Sequence, residues 1–302
     1  MDHAADAGEP GSFDTIAILG LGLMGGSLGM ALRRAGIGRV ISGYDALPGR
    51  AERARALGAI TTVAESPAAA VMGADLVVLG APVLAIRELL GAIAPHLVPR
   101  AVVTDLGSTK AEVVRWARES LPDPSRFIAG HPMAGKERSG IEAAAADLFA
   151  GAVWCLTPDA GTAPDALARL RTLVAALGAR PLVLDPARHD EAVAGASHLP
   201  LLAAAALVRA VSMQPDWPDV GRLAAGGFRD TTRVASGDPR MARDIALTNR
   251  EPLLRRLDAY IAALQGLRAQ VAAGDPEIER AFMDAKAARD EWLRTRSSHA
   301  GE

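Results

Sequence analysis

The sequence predicts an α/β domain built on a doubly wound parallel sheet, followed by an all-helical domain. Up to residue 186, short apolar runs alternate with segments of helical periodicity, which is typical of strands joined by crossover helices. After residue 187 the strand-like runs stop, and the remaining segments are helical in period and composition. The predicted domains therefore span residues 14–186 and 187–295.

The strands of the first domain are predicted from apolar runs that end in small or acidic residues. TIAILG at 15–20 is the first, and after a helical segment RVISGYD predicts a second strand that ends at Asp45. A helix over 48–57 begins with proline and ends before glycine. Further strands are predicted at 74–82, 100–108, 152–157 and 181–185, with a strand-like run, RFIAG, before His131.

The composition is that of a globular protein. Of the 302 residues, 50% are hydrophobic and 23% charged, and the net charge of -2 gives no reason to expect a nucleic-acid partner. The first dozen residues lack the basic start and apolar stretch of a signal peptide, and no run of about 18 apolar residues predicts a membrane span. The one cysteine, Cys155, excludes an internal disulfide. We therefore expect a cytoplasmic protein with no nucleic-acid or membrane partner.

GLGLMG at 20–25 has the G-x-G-x-x-G form of a dinucleotide-binding loop. It follows a predicted strand, opens a helix and precedes an acidic residue at the end of the next strand, which is the Rossmann-type context. Gly20 would allow the tight turn, Gly22 the approach of the backbone to a pyrophosphate, and Gly25 the packing of helix on strand. The helix N-terminus, with Leu23 and Met24, would then bind the phosphates.

Asp45 predicts NAD in preference to NADP. A carboxylate there accepts hydrogen bonds from both ribose hydroxyls and repels a 2′-phosphate, although Arg50 is near enough to keep NADP open. Ala81 and Pro82 follow a later strand and are expected to form a wall of the cofactor site. Ser108, in DLGS, follows the next strand and is expected to face the nicotinamide.

His131 is the main catalytic candidate. It lies in GHPMAGKERSG at 130–140, where Pro132 restricts its backbone to the extended region. A histidine titrates near neutral pH, and hydride leaves a carbinol carbon readily only as the hydroxyl proton is drawn away. The alternative is that His131 is a structural histidine, hydrogen bonded within the fold and without a catalytic role.

Two other histidines and an arginine cluster are weaker candidates. His189 and His198 are nine residues apart, so on a regular helix they lie on opposite faces, and no metal site is predicted. His198 remains a candidate for the cleft, whereas His189 reads as the start of a helix. Arg229 and Arg233 are four residues apart on one predicted helical face, a spacing that suits carboxylates, so we expect an acidic substrate.

Five segments, in order, resemble the prephenate/arogenate dehydrogenases of tyrosine biosynthesis. The resemblance covers about residues 14–265, and its later segments are far more specific than the glycine motif. The segments are ILGLGLMGGSLGMAL, DLGSTK, GHPMAGKERSGIEAA, HDEAVAGASHLP and GGFRDTTRVASGDPRMARDI.

The resemblance implies an oxidative decarboxylation. NAD would take hydride from the carbon that bears the ring hydroxyl of a cyclohexadiene, and the ring carboxylate would leave as carbon dioxide. Prephenate would give 4-hydroxyphenylpyruvate, and arogenate would give tyrosine. The helical second domain would form a homodimer, with the cleft between domains.

The resemblance also implies roles for individual residues. His131 would bond the ring hydroxyl, Ser108 would bond the same hydroxyl and orient the histidine, and Arg233 would bind a substrate carboxylate. Glu137, with the charged pair Arg229 and Asp230, would form part of an ionic gate over the site.

The chain departs from the family pattern near the substrate. Leu201 stands where some relatives have a second histidine, three residues after His198, which leaves selectivity between pyruvyl and alanyl side chains open. Lys136 stands where small hydroxyl residues are common, and its positive charge would help to hold a carboxylate.

Two other functions remain as alternatives. A β-hydroxyacid dehydrogenase would use a lysine on the first long helix of the second domain, but residues 187–212 contain no lysine. A non-catalytic NAD-binding protein would keep the glycine motif and Asp45 without needing Ser108, His131 and Arg233 together.

Overall fold

The computed structural model describes residues 13–299, with side chains described as far as residue 295. The N-terminal residues considered above for a signal peptide lie outside the described range. Two compact units make up the chain, the first ending at Arg250 and the second beginning at Glu251.

The first unit is built on one eight-stranded sheet with the strand order β3-β2-β1-β4-β5-β6-β7-β8. Its strands alternate along the chain with helices, which confirms the predicted α/β architecture. The strands are β1 (Thr15–Leu19), β2 (Val40–Tyr44), β3 (Thr62–Val63), β4 (Leu76–Leu79), β5 (Val102–Asp105), β6 (Phe127–Pro132), β7 (Val153–Thr157) and β8 (Arg180–Val183).

The prediction of a wholly parallel sheet is wrong at one pair of strands. β7 runs antiparallel to β6, while the other neighbouring strands are parallel. A parallel pair needs a crossover connection, usually a helix, but the segment between β6 and β7 contains only a single 3-10 turn, Ile141–Ala143. β6 also continues through His131 and Pro132, beyond the strand-like run RFIAG that was predicted.

Apolar layers cover both faces of the sheet. Side chains alternate along β1, so Ile16 and Ile18 join one buried cluster, and Ala17 and Leu19 join the other. The helices of this part are α1 (Leu23–Arg34), α2 (Arg50–Ala56), α3 (Pro67–Val71), α4 (Val83–Ile93), α5 (Ala111–Ser120) and α6 (Pro164–Ala176).

Further helices complete the first unit. They are α7 (Pro186–Val193), α8 (Leu199–Ser212), α9 (Trp217–Leu223), α10 (Gly226–Thr232) and α11 (Pro239–Thr248). A π-helical turn, Ala194–His198, joins α7 to α8. Pro200 follows this turn and has no N–H to donate, so the regular α-helical ladder is interrupted there.

The continuous helical segment Pro186–Ser212 is long and apolar enough to cross a membrane by length and composition alone. This finding corrects the expectation that no segment would pass that test. However, the segment carries His189, Asp190 and His198, which are buried and hydrogen bonded within the first unit. The core helix of a soluble protein passes the same test, so the finding is weak evidence for a membrane span.

The second unit contains most of α12 (Arg250–Ala273) and all of α13 (Ile278–His299). Both helices expose large apolar side chains. These include Ile261, Leu264, Val271, Phe282, Met283 and Trp292.

Candidate active site

The glycine loop lies at the carboxyl end of β1. Gly20 has a φ of 98°, and a Cβ on it would lie 2.6 Å from the backbone of Gly80. A Cβ on Gly25 would lie 1.9 Å from the carbonyl oxygen of Gly20, so the start of α1 approaches the strand as predicted. A Cβ on Gly22 would meet nothing within 4 Å, which leaves open space beside the loop.

The N-terminus of α1 fits a phosphate group. Its N-cap residue, Gly22, has no side chain to cap the first amides, and the first turn, which starts with Leu23 and Met24, contains no acidic residue. Free amides at a helix N-terminus, with the positive end of the helix dipole, bind anions. Together with the open space at Gly22, this end of the helix can accommodate a pyrophosphate.

Asp45 follows β2 and is fixed against the glycine loop. Its Oδ2 accepts a hydrogen bond from the amide of Leu21 at 2.7 Å, and its Oδ1 accepts one from the amide of Leu47 at 2.9 Å. Arg50 lies 3.6 Å from the same carboxylate, and the Asp45 side chain is only 7% exposed. The carboxylate is thus held where the sequence predicts a group that reads a ribose.

The predicted wall and serine lie at the same edge of the sheet. Ala81 and Pro82 follow β4, and Pro82 is the N-cap residue of α4. The amide of Gly80 donates to the Leu19 carbonyl at 2.7 Å, which brings this segment against the end of β1. Ser108 is half-buried between β5 and α5, and its hydroxyl has no hydrogen-bond partner among the described residues.

His131 is joined to a second histidine and a carboxylate. Its Nδ1 lies 2.9 Å from Nε2 of His189, and Nδ1 of His189 lies 2.8 Å from Oδ1 of Asp190. His189 and Asp190 are buried on α7, whereas His131 is half-buried on β6. The three side chains form a continuous hydrogen-bonded chain that ends at His131.

Asp190 is in turn held by the main chain of α5. Its Oδ1 accepts from the amide of Lys110 at 2.8 Å and its Oδ2 from the amide of Ala111 at 2.9 Å. These amides begin the helix that follows the Ser108 loop. The same hydrogen bonds therefore tie α7 to the segment that carries Ser108.

A fully buried ion pair lies beneath this segment. Lys110 pairs with Asp105, and both side chains have no exposed surface. The Lys110 ammonium also donates to the Gly130 carbonyl at 2.7 Å, and Asp105 accepts from the amides of Gly107 at 2.8 Å and Gly130 at 3.1 Å. Burial raises the pKa of Asp105 and lowers that of Lys110, while the opposite charge of each partner acts against these shifts. The pair thus joins the Ser108 loop to the residue before His131.

His198 lies in the same buried region. Nδ2 of Asn249 is 3.0 Å from Nδ1 of His198 and donates at 2.8 Å to the carbonyl oxygen of Asp190. Nε2 of His198 is buried with no partner among the described residues. Burial lowers the pKa of His198 to about 4, so the ring is neutral at pH 7.

His131 is also neutral at pH 7. Burial is the largest cause that lowers its pKa well below the usual 6.5. Electrostatic interactions with His189, Lys110 and His198 lower this pKa further. A neutral imidazole has a lone pair to accept a proton or a hydrogen bond.

The charged residues predicted for the gate form two separate ion pairs. Arg233 forms an ion pair with Glu137, and both side chains are exposed. Arg229 instead pairs with its neighbour Asp230 at 2.8 Å, at a position where both side chains face solvent. Glu137 therefore contacts the arginine predicted to bind substrate, and not the pair predicted to share the gate.

Lys136, also predicted near the gate, donates from Nζ to the carbonyl oxygen of Ala143 at 3.0 Å. Its side chain holds the segment after β6 against the following 3-10 turn. Among the described residues, no group of histidine, cysteine and acidic side chains is arranged to hold a metal.

The prediction that His189 and His198 lie on opposite faces is wrong. Both are buried, and an electrostatic interaction with His189 contributes to the lowered pKa of His198. The π turn adds one residue between them, which takes up one step of about 100° and brings the two positions toward the same side.

Sequence reasoning gave no role to five residues of this site: Asp105, Lys110, His189, Asp190 and Asn249. One signal was available. The segment HDE at 189–191 places acidic residues beside a histidine at the start of the predicted helix that contains His198. For Asp105 and Lys110, the segment DLGSTK was recognised, but only its serine was given a role.

The chain is similar to known proteins over most of its length. Residues 28–183 match the family model described as prephenate dehydrogenase, nucleotide-binding domain, and residues 185–284 match prephenate dehydrogenase, dimerization domain. The chain is 38% identical to the prephenate dehydrogenase of Bacillus subtilis over 92% of this chain and 76% of that protein. It is 37% identical to the cyclohexadienyl dehydrogenase of Zymomonas mobilis over 87% of this chain and 90% of that protein.

A solved structure of the prephenate dehydrogenase from A. aeolicus, in complex with hydroxyphenyl propionate and NAD+, superposes with a TM-score of 0.86 at 33% identity. The match covers 93% of this chain and 98% of that one. The chain belongs to the prephenate dehydrogenase family.

Proposed function

We propose that the protein catalyses the NAD-dependent oxidative decarboxylation of prephenate, of arogenate, or of both. The observation that carries the proposal is the chain from Asp190 through His189 to His131, which ends at the same edge of the sheet as the glycine loop. Ligands of open α/β sheets bind at the carboxyl ends of the strands. Membership of the family supports the same reaction.

His131 is the group that acts on the ring hydroxyl. When bound, NAD supplies the acceptor for hydride. As hydride leaves the carbinol carbon, positive charge develops there, and a neutral His131 stabilises it by accepting a hydrogen bond from the hydroxyl. The bond to the ring carboxylate then breaks, its electron pair completes the aromatic ring, and carbon dioxide leaves. The hydroxyl keeps its proton in the phenol product, so no net proton is released.

The remaining candidates bind and orient the substrate. We propose that Arg233 exchanges its pairing with Glu137 for a substrate carboxylate, since an exposed ion pair costs little to open. The Ser108 hydroxyl, which has no hydrogen-bond partner in the described part of the chain, is proposed to bond the ring hydroxyl. Arg229, Asp230 and Lys136 are proposed to set the charge around the entrance.

The helical part is proposed to form a homodimer. The description of the matched family model as a dimerization domain supports this, as do the exposed apolar side chains of α12 and α13. We propose residues 14–186 as the cofactor-binding domain and 187–295 as the substrate and dimerisation domain. A cytoplasmic location, without a nucleic-acid or membrane partner, is proposed with it.

The substrate is tested by NADH formation with purified protein and prephenate or arogenate in separate reactions. We expect turnover with at least one of them. We expect activity with both, because Leu201 cannot make the polar contact of the histidine that some relatives have there. With fewer contacts to the substrate side chain, the site discriminates less between a pyruvyl and an alanyl group. A mock purification from the same host without the gene is the control, and no activity with either substrate would reject the proposal.

The cofactor preference is tested with Asp45→Ser. Loss of a charge-assisted hydrogen bond costs about 1.5–3 kcal/mol, so we expect the kcat/KM for NAD to fall about ten- to a hundredfold. The value for NADP should rise because the carboxylate no longer repels a 2′-phosphate and Arg50 becomes free to bind it. The ratio of the two kcat/KM values is the measurement, with Asp14→Ser, at an exposed position, as the control. An unchanged ratio would mean that Asp45 does not read the ribose.

A further inference from the structure

The hydrogen bonds around Asp190 fix the donor and acceptor roles of its carboxylate. Each oxygen already accepts a main-chain N–H from the start of α5, at 2.8 Å from Lys110 and 2.9 Å from Ala111. Backbone amides only donate, so the carboxylate is fixed as an acceptor. The remaining contact of Oδ1, to Nδ1 of His189, therefore requires a proton on that nitrogen.

This proton determines the next two nitrogens. In its neutral form, His189 carries one N–H, so with that proton on Nδ1 it has a lone pair on Nε2. That lone pair faces Nδ1 of His131 at 2.9 Å, and Nδ1 of His131 must therefore be the donor. The lone pair of His131 is then on Nε2.

We infer that Asp190 and His189 are positioning residues that hold His131 in the tautomer whose Nε2 accepts a hydrogen bond. The inference rests on the proposed function, because it gives that lone pair the ring hydroxyl as its partner. A histidine with the proton on Nε2 would present a donor to the hydroxyl and would not stabilise the developing positive charge. Neither positioning residue needs to touch the substrate.

A second arm of the network sets His198 in the opposite tautomer. The amide nitrogen of Asn249 donates both to the carbonyl oxygen of Asp190 and to Nδ1 of His198, at 2.8 and 3.0 Å. The proton of His198 is then on Nε2, which is buried without a partner among the described residues. An unpaired buried donor is costly unless a ligand satisfies it. His198 thus offers a donor to a substrate oxygen, whereas His131 offers an acceptor.

Two substitutions of His189 distinguish a role in setting the His131 tautomer from a role in stabilising the fold. In His189→Gln, the side-chain oxygen can replace the Nε2 lone pair and accept from Nδ1 of His131. In His189→Leu, no acceptor remains, and the His131 proton is free to move to Nε2. We expect His189→Leu to lower kcat by about a hundredfold or more and His189→Gln to keep kcat within about tenfold of the parent, with KM for NAD unchanged in both. Equal losses in the two variants, with equal thermal stability, would overturn the inference.

Nitrogen NMR of the imidazole rings tests the tautomer without any substrate. The His131 signals are assigned by their loss in His131→Asn. Spectra are recorded at pH 7, where burial keeps the His131 ring neutral. We expect the proton on Nδ1 in the parent protein and in His189→Gln, and at least partly on Nε2 in His189→Leu. A proton on Nε2 in the parent would refute the inference whichever substrate the protein uses. If the NMR result holds but prephenate and arogenate are not turned over, the proposed function fails and the positioning network stands.

Discussion

His131→Asn is expected to reduce turnover by about 10²–10⁴-fold, the contribution of a positioned acid or base. Asparagine has no basic nitrogen, and its amide oxygen is a far weaker base than imidazole, so the ring hydroxyl is poorly stabilised as hydride leaves. The affinity for NAD should not change, because the glycine loop and Asp45 follow β1 and β2, whereas His131 lies on β6. Steady-state kinetics and a separate titration of NAD binding measure the two effects.

The matched control for this variant is His96→Asn. His96 is exposed in a 3-10 turn after α4, so its replacement should leave turnover and NAD binding as they are. If His131→Asn turned over substrate at the parent rate, another group would have to act on the hydroxyl. Loss of NAD binding together with turnover would instead point to a damaged fold.

Lys110→Met is expected to destabilise the protein by about 3–5 kcal/mol, because it leaves the buried Asp105 carboxylate without a counter-charge. Lys110 and Asp105 have no exposed surface, so water cannot replace the lost ammonium. For a protein of this size, each 1 kcal/mol lowers Tm by about 2–4 °C. Thermal and denaturant unfolding measure the effect, with Lys286→Met, on the exposed side of α13, as the control.

A double variant tests the cause. Adding Asp105→Asn to Lys110→Met removes the unpaired charge and should recover part of the lost stability. If the double variant were less stable than Lys110→Met alone by the full cost of a second substitution, the two side chains would act independently. In that case the ion pair would not be what joins the Ser108 loop to Gly130.

The fold was predictable because strands and crossover helices leave a strong periodic signal. β1, β2, β4 and β5 are apolar runs that end in glycine or an acid, and each lies within a residue or a few of its predicted position. The direction of β7 was not predictable from its own residues. It depends on the connection from β6, whose single 3-10 turn is too short to carry the chain back across the sheet.

Within the site, the sequence analysis identified residues that belong to recognisable motifs. It did not identify residues that support the site only by hydrogen bonding to those residues. Gly20 and Gly25 lie where a side chain would clash with the backbone, and Asp45 is hydrogen bonded to the glycine loop. His189 was set aside because a regular helix would turn it away from His198, and the π turn changes that geometry. Asp105 and Lys110 pair with each other five residues apart, but their other contacts are to main-chain atoms of Gly107 and Gly130, which leave no signal in the sequence.

The most direct test of the central claim is the amount of carbon dioxide released for each NADH formed, measured with prephenate and arogenate in the assay above. Hydride removal from the ring carbinol carbon makes loss of the ring carboxylate favourable, because the product is aromatic. We predict equal amounts of carbon dioxide and NADH, with 4-hydroxyphenylpyruvate or tyrosine as the product. NADH formed without carbon dioxide would show oxidation of an alcohol to a ketone, and would contradict the assignment of an oxidative decarboxylation.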